Sequence, residues 1–277
     1  MRLLSLLAAF IIITQCNKFY HLDGENHYTE WKHYLGDPGR SHYSQLSEFT
    51  SKNIKSLKVS WEYESKDYGQ MQMNPIVVDT LLYGVSSALR VFALDARTGE
   101  EVWVFGDTLK TLFSTSRGVS YWESGNDRRI FYTKGANLWA LNAHTGQPIP
   151  SFGKGGKIDL RSGLPASARD KFVISSTPGT TYKNLIIMPL RLSEDVGAAP
   201  GDVMAFDVIT GELAWSFHTL PRPDEPGIET WGDPNISESP IVGAANNWAG
   251  MALDQKREIL YVPTGSAAPD FYGALRP

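Results

Sequence analysis

The chain has 277 residues, 42% of them hydrophobic and 12% aromatic, which is enough apolar material for a folded core and unlike the composition of a disordered or fibrous protein. Its 26 Lys and Arg face 30 Asp and Glu for a net charge of -4. The basic residues are scattered rather than gathered into a stripe, which excludes nucleic acid as a partner.

Met1-Arg2-Leu3 opens an apolar run that reaches Ile13. About ten apolar residues behind one basic residue have the length of an export signal and are too short to span a bilayer. The run stops at Ile13-Thr14-Gln15-Cys16, and Cys16 is the only cysteine of the chain. Residues 1–16 therefore read as a signal peptide of the bacterial lipoprotein kind. Lipidation at Cys16 would anchor a periplasmic or cell-envelope protein to the membrane. Gln15 stands where such signals usually carry a small residue, which leaves simple cleavage as the second processing outcome. A single cysteine excludes an intrachain disulfide.

The remainder, residues 17–277, is organised by a repeat. Val91-Phe92-Ala93-Leu94-Asp95-Ala96-Arg97-Thr98-Gly99 leads to Trp103, and Val203-Met204-Ala205-Phe206-Asp207-Val208-Ile209-Thr210-Gly211 leads to Trp215. Between them lies a worn copy, Leu138-Trp139-Ala140-Leu141-Asn142-Ala143-His144-Thr145-Gly146, with Pro150 in the Trp place. Each copy predicts a strand, a tight turn in which Asp or Asn bonds the following backbone and Gly supplies positive φ, and a second strand closed by an aromatic. Ahead of each copy runs a β-prone stretch: Leu81 to Val85, Ile130 to Thr133 and Leu185 to Met188. A fourth, Ile259 to Pro263, follows the turn Gln255-Lys256-Arg257. No segment has the period of a long amphipathic helix.

Repeated antiparallel sheets sealed by an aromatic at a fixed place predict an all-β protein of the propeller kind, against a β-sandwich as the alternative. After Ile259 no further Asp-x-x-Thr-Gly corner occurs, so the last sheet is expected to be unfinished and the propeller partial.

The corner Ala-Leu/Phe-Asp-x-x-Thr-Gly-x-x-x-Trp resembles the Trp-docking repeat of the pyrroloquinoline quinone (PQQ) dehydrogenases, whose propellers are eight-bladed. Further motifs carry the likeness along the chain in the family's order. They include Trp31-Lys32-His33-Tyr34-Leu35-Gly36, Met71-Gln72-Met73-Asn74-Pro75, Ser116-Arg117-Gly118-Val119-Ser120-Tyr121, Ala198-Ala199-Pro200-Gly201-Asp202, Asn246-Asn247-Trp248-Ala249-Gly250 and Pro263-Thr264-Gly265-Ser266. They look most like the glucose dehydrogenase branch, and the resemblance implies about half of an eight-bladed, PQQ-binding propeller.

It also implies site residues. Trp248, which follows no Thr-Gly corner, matches the ring platform under the flat cofactor, and Arg117 matches the cation near the quinone oxygens. Gln72 and Ser175, each three residues before a proline, match positions that contact PQQ in relatives. Glu194 matches a calcium ligand, and Ser266 falls where relatives place an Asn ligand; a hydroxyl is the poorer donor for calcium. Phe113 stands where membrane glucose dehydrogenases carry a His, a departure that bears on sugar specificity. No catalytic residue is assigned within the 277 residues, because the family's general base is an Asp expected beyond Pro277. The implied reaction is oxidation of a sugar or alcohol, with electrons passed to a quinone or cytochrome. The alternative is a non-catalytic propeller lipoprotein that scaffolds periplasmic or outer-membrane assembly.

Overall fold

The computed structural model describes residues 30–107 and 115–275. The signal segment, Cys16 and Phe113 lie outside the described residues. Three four-stranded antiparallel sheets follow one another along the chain, each with its strands in sequence order. The first is Ile76–Val78, Leu81–Val85, Val91–Asp95 and Glu101–Phe105. The second is Ser120–Ser124, Asp127–Lys134, Asn137–Asn142 and Lys157–Asp159, and the third is Thr180–Tyr182, Leu185–Met188, Val203–Asp207 and Leu213–Phe217. A hairpin, Ala252–Asp254 with Ile259–Tyr261, comes next. This is a partial β-propeller, as the repeat predicts.

The sequence explains why these sheets stack rather than float. Val91, Phe92, Ala93 and Leu94 are all buried, although successive residues of a strand point to opposite faces. Both faces are therefore covered, as in a blade held between two neighbours. One apolar cluster joins the first and second sheets through Ile76, Tyr83, Trp103, Ile130 and Leu141. A second joins the second and third through Phe131, Phe152, Ile186, Met204 and Phe206. The first strands of these two sheets also touch directly, because Ser120 donates to Gly179 O at 2.7 Å and Thr181 donates to Tyr121 O at 3.2 Å.

The corners work as their residues dictate. Asn142 Oδ1 accepts from the backbone N–H groups of His144 and Thr145 at 3.0 Å each, and Asp207 Oδ1 accepts from those of Ile209 and Thr210 at 2.8 Å. The first two corner glycines each receive a tryptophan from the chain that precedes their sheet. The Trp103 indole N–H donates to Ala143 O at 2.9 Å, and its ring lies where a Cβ on Gly146 (φ +68°) would come within 2.5 Å. Trp61 repeats this on the first corner, donating to Ala96 O at 3.2 Å with its ring 2.6 Å from the Cβ position of Gly99.

The third corner departs from the repeat. Ile158 and Phe152 fill the space over Gly211. Its carbonyl, Val208 O, accepts instead from the Arg129 guanidinium at 2.8 Å. Arg129 is buried, paired with Asp127 at 2.6 Å and stacked 5.8 Å from the Trp122 ring. A guanidinium replaces the indole where Pro150 replaced the tryptophan.

Trp215 departs as well. Whereas Trp103 is 8% exposed, Trp215 is 37% exposed. The docking rule gives the reason: each tryptophan sits on the corner of the next sheet, and residues 216–277 contain no Asp-x-x-Thr-Gly corner for Trp215 to cover.

Candidate functional site

The lead-in segments to four successive first strands converge at one end of the sheets. Asn74-Pro75 precedes Ile76–Val78, Ser116-Arg117 precedes Ser120–Ser124, Ser176-Thr177-Pro178 precedes Thr180–Tyr182, and Trp248 precedes Ala252–Asp254. Backbone bonds tie them together: Asn74 N–H donates to Arg117 O at 2.9 Å, and Arg117 N–H donates to Ser176 O at 2.7 Å. Residues up to 174 positions apart in the sequence thereby share one wall.

Above this wall opens a cleft of about 800 Å³. Five of the six residues assigned from the sequence line it: Gln72, Arg117, Glu194, Trp248 and Ser266. The Arg117 guanidinium lies 5.6 Å from the centre of the Trp248 ring, within cation–π range. It is held there by acceptors at 3.1 Å, Ser176 Oγ and Thr177 Oγ1. Thr177 in turn donates to Trp248 O at 2.7 Å. Trp248 remains 51% exposed and lines the cleft. Gln72 is exposed and accepts from Thr115 Oγ1 at 3.3 Å.

Ser175 is the residue that the structure does not bring to the cleft. It is buried, and its hydroxyl turns back to Thr177 O at 3.2 Å. The next two residues, Ser176 and Thr177, are buried as well and reach the cleft only through Arg117, whose guanidinium they accept from. Thr177 thus supports the site from behind, bonded to both Arg117 and Trp248, a role that counting back from Pro178 missed.

The cleft also offers oxygen. Asp270 N–H donates to Glu194 O at 3.1 Å, and Ser266 donates to Asp270 Oδ1 at 3.2 Å. Glu194, Ser266 and Asp270 therefore line one side of the cleft together. Among the described residues no group of three or more His, Cys, Asp or Glu could enclose a metal ion. Two carboxylates and a hydroxyl are hard donors of the kind calcium takes, but fewer than the six to eight oxygens it surrounds itself with. They fit one side of a cation whose other ligands are water or oxygens of a bound molecule. Asp270, four residues after Ser266, was not assigned from the sequence, where nothing says that it faces Ser266.

Comparison with known proteins bears on this arrangement. The family model described as "PQQ: Glucose/ethanol/alcohol dehydrogenase, beta-propeller domain" matches residues 31–277. The quinoprotein glucose dehydrogenase of Escherichia coli (strain K12) is 30% identical over 89% of this chain and 33% of its own length. The quinate/shikimate dehydrogenase (quinone) of Acinetobacter baylyi is 28% identical over 89% of this chain and 34% of its own. Among solved structures, the quinohemoprotein alcohol dehydrogenase from Comamonas testosteroni superposes with a TM-score of 0.70 at 23% identity, over 87% of this chain and 36% of that one. A europium-containing methanol dehydrogenase gives 0.65 at 19% identity, over 85% of this chain and 42% of that one. The chain spans about a third of the length of the curated relatives it matches.

Proposed function

Because this chain belongs to the β-propeller family of the PQQ-dependent glucose, ethanol and alcohol dehydrogenases, we propose that its protein oxidises a sugar or alcohol with PQQ and calcium, passing electrons to a quinone or cytochrome. The observation that carries the reading is the Arg117 guanidinium 5.6 Å from the centre of the open Trp248 ring, on the floor of the cleft. PQQ, when bound, supplies a two-electron acceptor, and a divalent cation beside it polarises the accepting carbonyl.

The residues of this chain do the holding. The Trp248 face supports a flat ring by stacking. Arg117 is kept pointing into the cleft by Ser176 and Thr177, where it meets anionic oxygen through charge-assisted hydrogen bonds. Gln72 offers a neutral amide on the same rim. Glu194, Ser266 and Asp270, which also line the cleft, would hold the cation. The names of relatives that act on glucose, glycerol and quinate or shikimate support a hydroxylated substrate, and the name of the europium-containing methanol dehydrogenase supports a metal in such a cleft. Neither cleft carboxylate is assigned the substrate proton, since both face the cation. We assign that proton to an Asp outside these 277 residues, without which they turn over no substrate. Export and lipidation at Cys16 complete the reading.

Titration of the full-length protein with PQQ and calcium tests it. Arg117→Ala and Trp248→Ala should each weaken PQQ binding by about tenfold or more, from loss of a charge-assisted contact or a stacking face. Equal PQQ binding by the wild type and both variants, with no calcium dependence, would overturn the enzyme reading in favour of a scaffold propeller.

A further inference from the structure

Arg40 is a partly buried cation held by two backbone carbonyls and a hydroxyl. It belongs to the segment ahead of the first sheet, and that segment crosses behind the cleft wall, where Leu253 N–H donates to Pro38 O at 2.8 Å. Its guanidinium donates to Ala249 O at 3.3 Å, to Pro178 O at 3.3 Å and to Thr180 Oγ1 at 3.4 Å. It lies 5.0 Å from the centre of the Tyr34 ring and has no salt bridge to a carboxylate among the described residues. Burial lowers its pKa to about 10, against the opposing pull of Tyr34.

Those acceptors are the backbone neighbours of the cofactor wall. Pro178 follows Thr177, and Ala249 follows Trp248. On the cleft side the two segments are joined by the single bond from Thr177 Oγ1 to Trp248 O at 2.7 Å. On the far side they are joined by Arg40, with Thr180 Oγ1 donating to Met251 O at 3.1 Å beside it. The guanidinium passes close over Gly250 (φ +92°), where a Cβ would meet it. The Pro178 carbonyl is partly buried, and a buried carbonyl left without a donor carries the cost of its desolvation; the Ala249 carbonyl lies at the surface.

We infer that Arg40 is a positioning residue for the Trp248 platform: it clamps the Thr177–Pro178 and Trp248–Ala249 backbones from behind, so that the indole face and the Arg117 guanidinium meet the same ligand. The inference rests on the PQQ reading for its functional meaning, and the geometry of the clamp stands without it. Arg40→Met keeps the stem and removes the donors, whereas Arg40→Lys restores one point charge without the fork that bridges two carbonyls.

Hydrogen exchange and PQQ titration of the full-length wild type and both variants form the test. In Arg40→Met, backbone amides of residues 176–180 and 247–251 should exchange about tenfold faster or more, while those of Asp127–Lys134, in the second sheet, keep their protection. The PQQ dissociation constant should rise about tenfold, with Arg40→Lys intermediate in both readouts. Unchanged exchange at the two segments overturns the clamp, and so does uniform loss of protection across all sheets, which marks a general folding role. Should Arg40→Met fail to fold, Arg40→Lys carries the test by the same local signature. Localised exchange in a protein whose wild type binds no PQQ sustains the clamp and defeats the cofactor reading alone.

Discussion

The corner of the second sheet offers a quantitative test of the docking rule, because its glycine is constrained twice. Gly146 has φ +68°, and a Cβ there would lie 2.5 Å from the Trp103 ring. Gly125 has nearly the same backbone, φ +57°, with nothing within 4 Å of its Cβ position. Gly125→Ala therefore measures the left-handed penalty by itself, about 1–2 kcal/mol. Gly146→Ala adds overpacking against a buried ring, another 1–3 kcal/mol or so. Trp103→Ala should cost about 3–5 kcal/mol, since the indole is 8% exposed and its N–H is bonded to Ala143 O. In the double variant the alanine at 146 meets space in place of the ring, and only the backbone penalty remains. The two losses should fall short of additivity by about 2 kcal/mol, a coupling expected of residues in contact. Urea unfolding of the whole chain, read as midpoint shifts at constant slope, gives all four values. Additivity within about 0.5 kcal/mol, or a Gly146→Ala cost equal to that of Gly125→Ala, would refute the idea that the glycine exists to admit the tryptophan.

Arg129→Met should lower stability by about 2–3 kcal/mol despite keeping the stem, because Val208 O, Ile209 O and Asp127 lose a shared charged donor; a loss below about 0.5 kcal/mol would remove the guanidinium from the docking rule. His33 provides a pH dependence: burial, with Lys32 nearby, lowers its pKa from 6.5 to about 4. The folded state resists protonation that the unfolded chain accepts. Stability attributable to His33 is thus intact above pH 6.5 and declines by roughly 3 kcal/mol as pH falls to about 4, and His33→Gln should flatten that segment of the stability–pH curve. Growth with labelled palmitate should mark the wild type and leave Cys16→Ala unmarked, and equal absence of label from both would exclude the lipid anchor.

What could be read from sequence was whatever is decided within about ten residues. Asp or Asn, Thr and Gly at fixed spacing determine a turn by local backbone bonding, and the Asn142 and Asp207 corners form as their spacing predicts. What could not be read was supplied from a distance. Arg129 reaches a carbonyl 79 residues away, and the worn corner between them showed only that its tryptophan was gone. Ser175 and Thr177 lie in the irregular stretch between Val173–Ile174 and Thr180–Tyr182, where side-chain direction follows no period that counting back from Pro178 could use. Trp215 carries the docking residue type, but residues 216–277 hold no corner of that pattern, so residue identity alone does not give its burial.

The contrast between Trp103 and Trp248 shows how one residue type acquires two roles. Trp103 emerges from a regular strand and is buried by the next sheet. Trp248 emerges from an irregular turn that opens with Ala244 and Ala245, both left-handed at φ 54° and 55°, a conformation that costs a non-glycine residue roughly 1–2 kcal/mol. Such strain persists only where surrounding contacts over-determine it, and here they do. Ala244 N–H donates to Ala199 O at 2.7 Å and Ala245 N–H to Ser266 O at 3.2 Å. The Asn246 amide is anchored on Leu190 O and the Asn247 amide on Pro263 O. Every one of these bonds crosses to another segment, so the turn is held from several sides before any ligand arrives. An indole presented with its face 51% exposed, on backbone strained and fixed in this way, has given up burial that Trp103 keeps; a flat ring stacked on it would recover that apolar area without first having to order the platform.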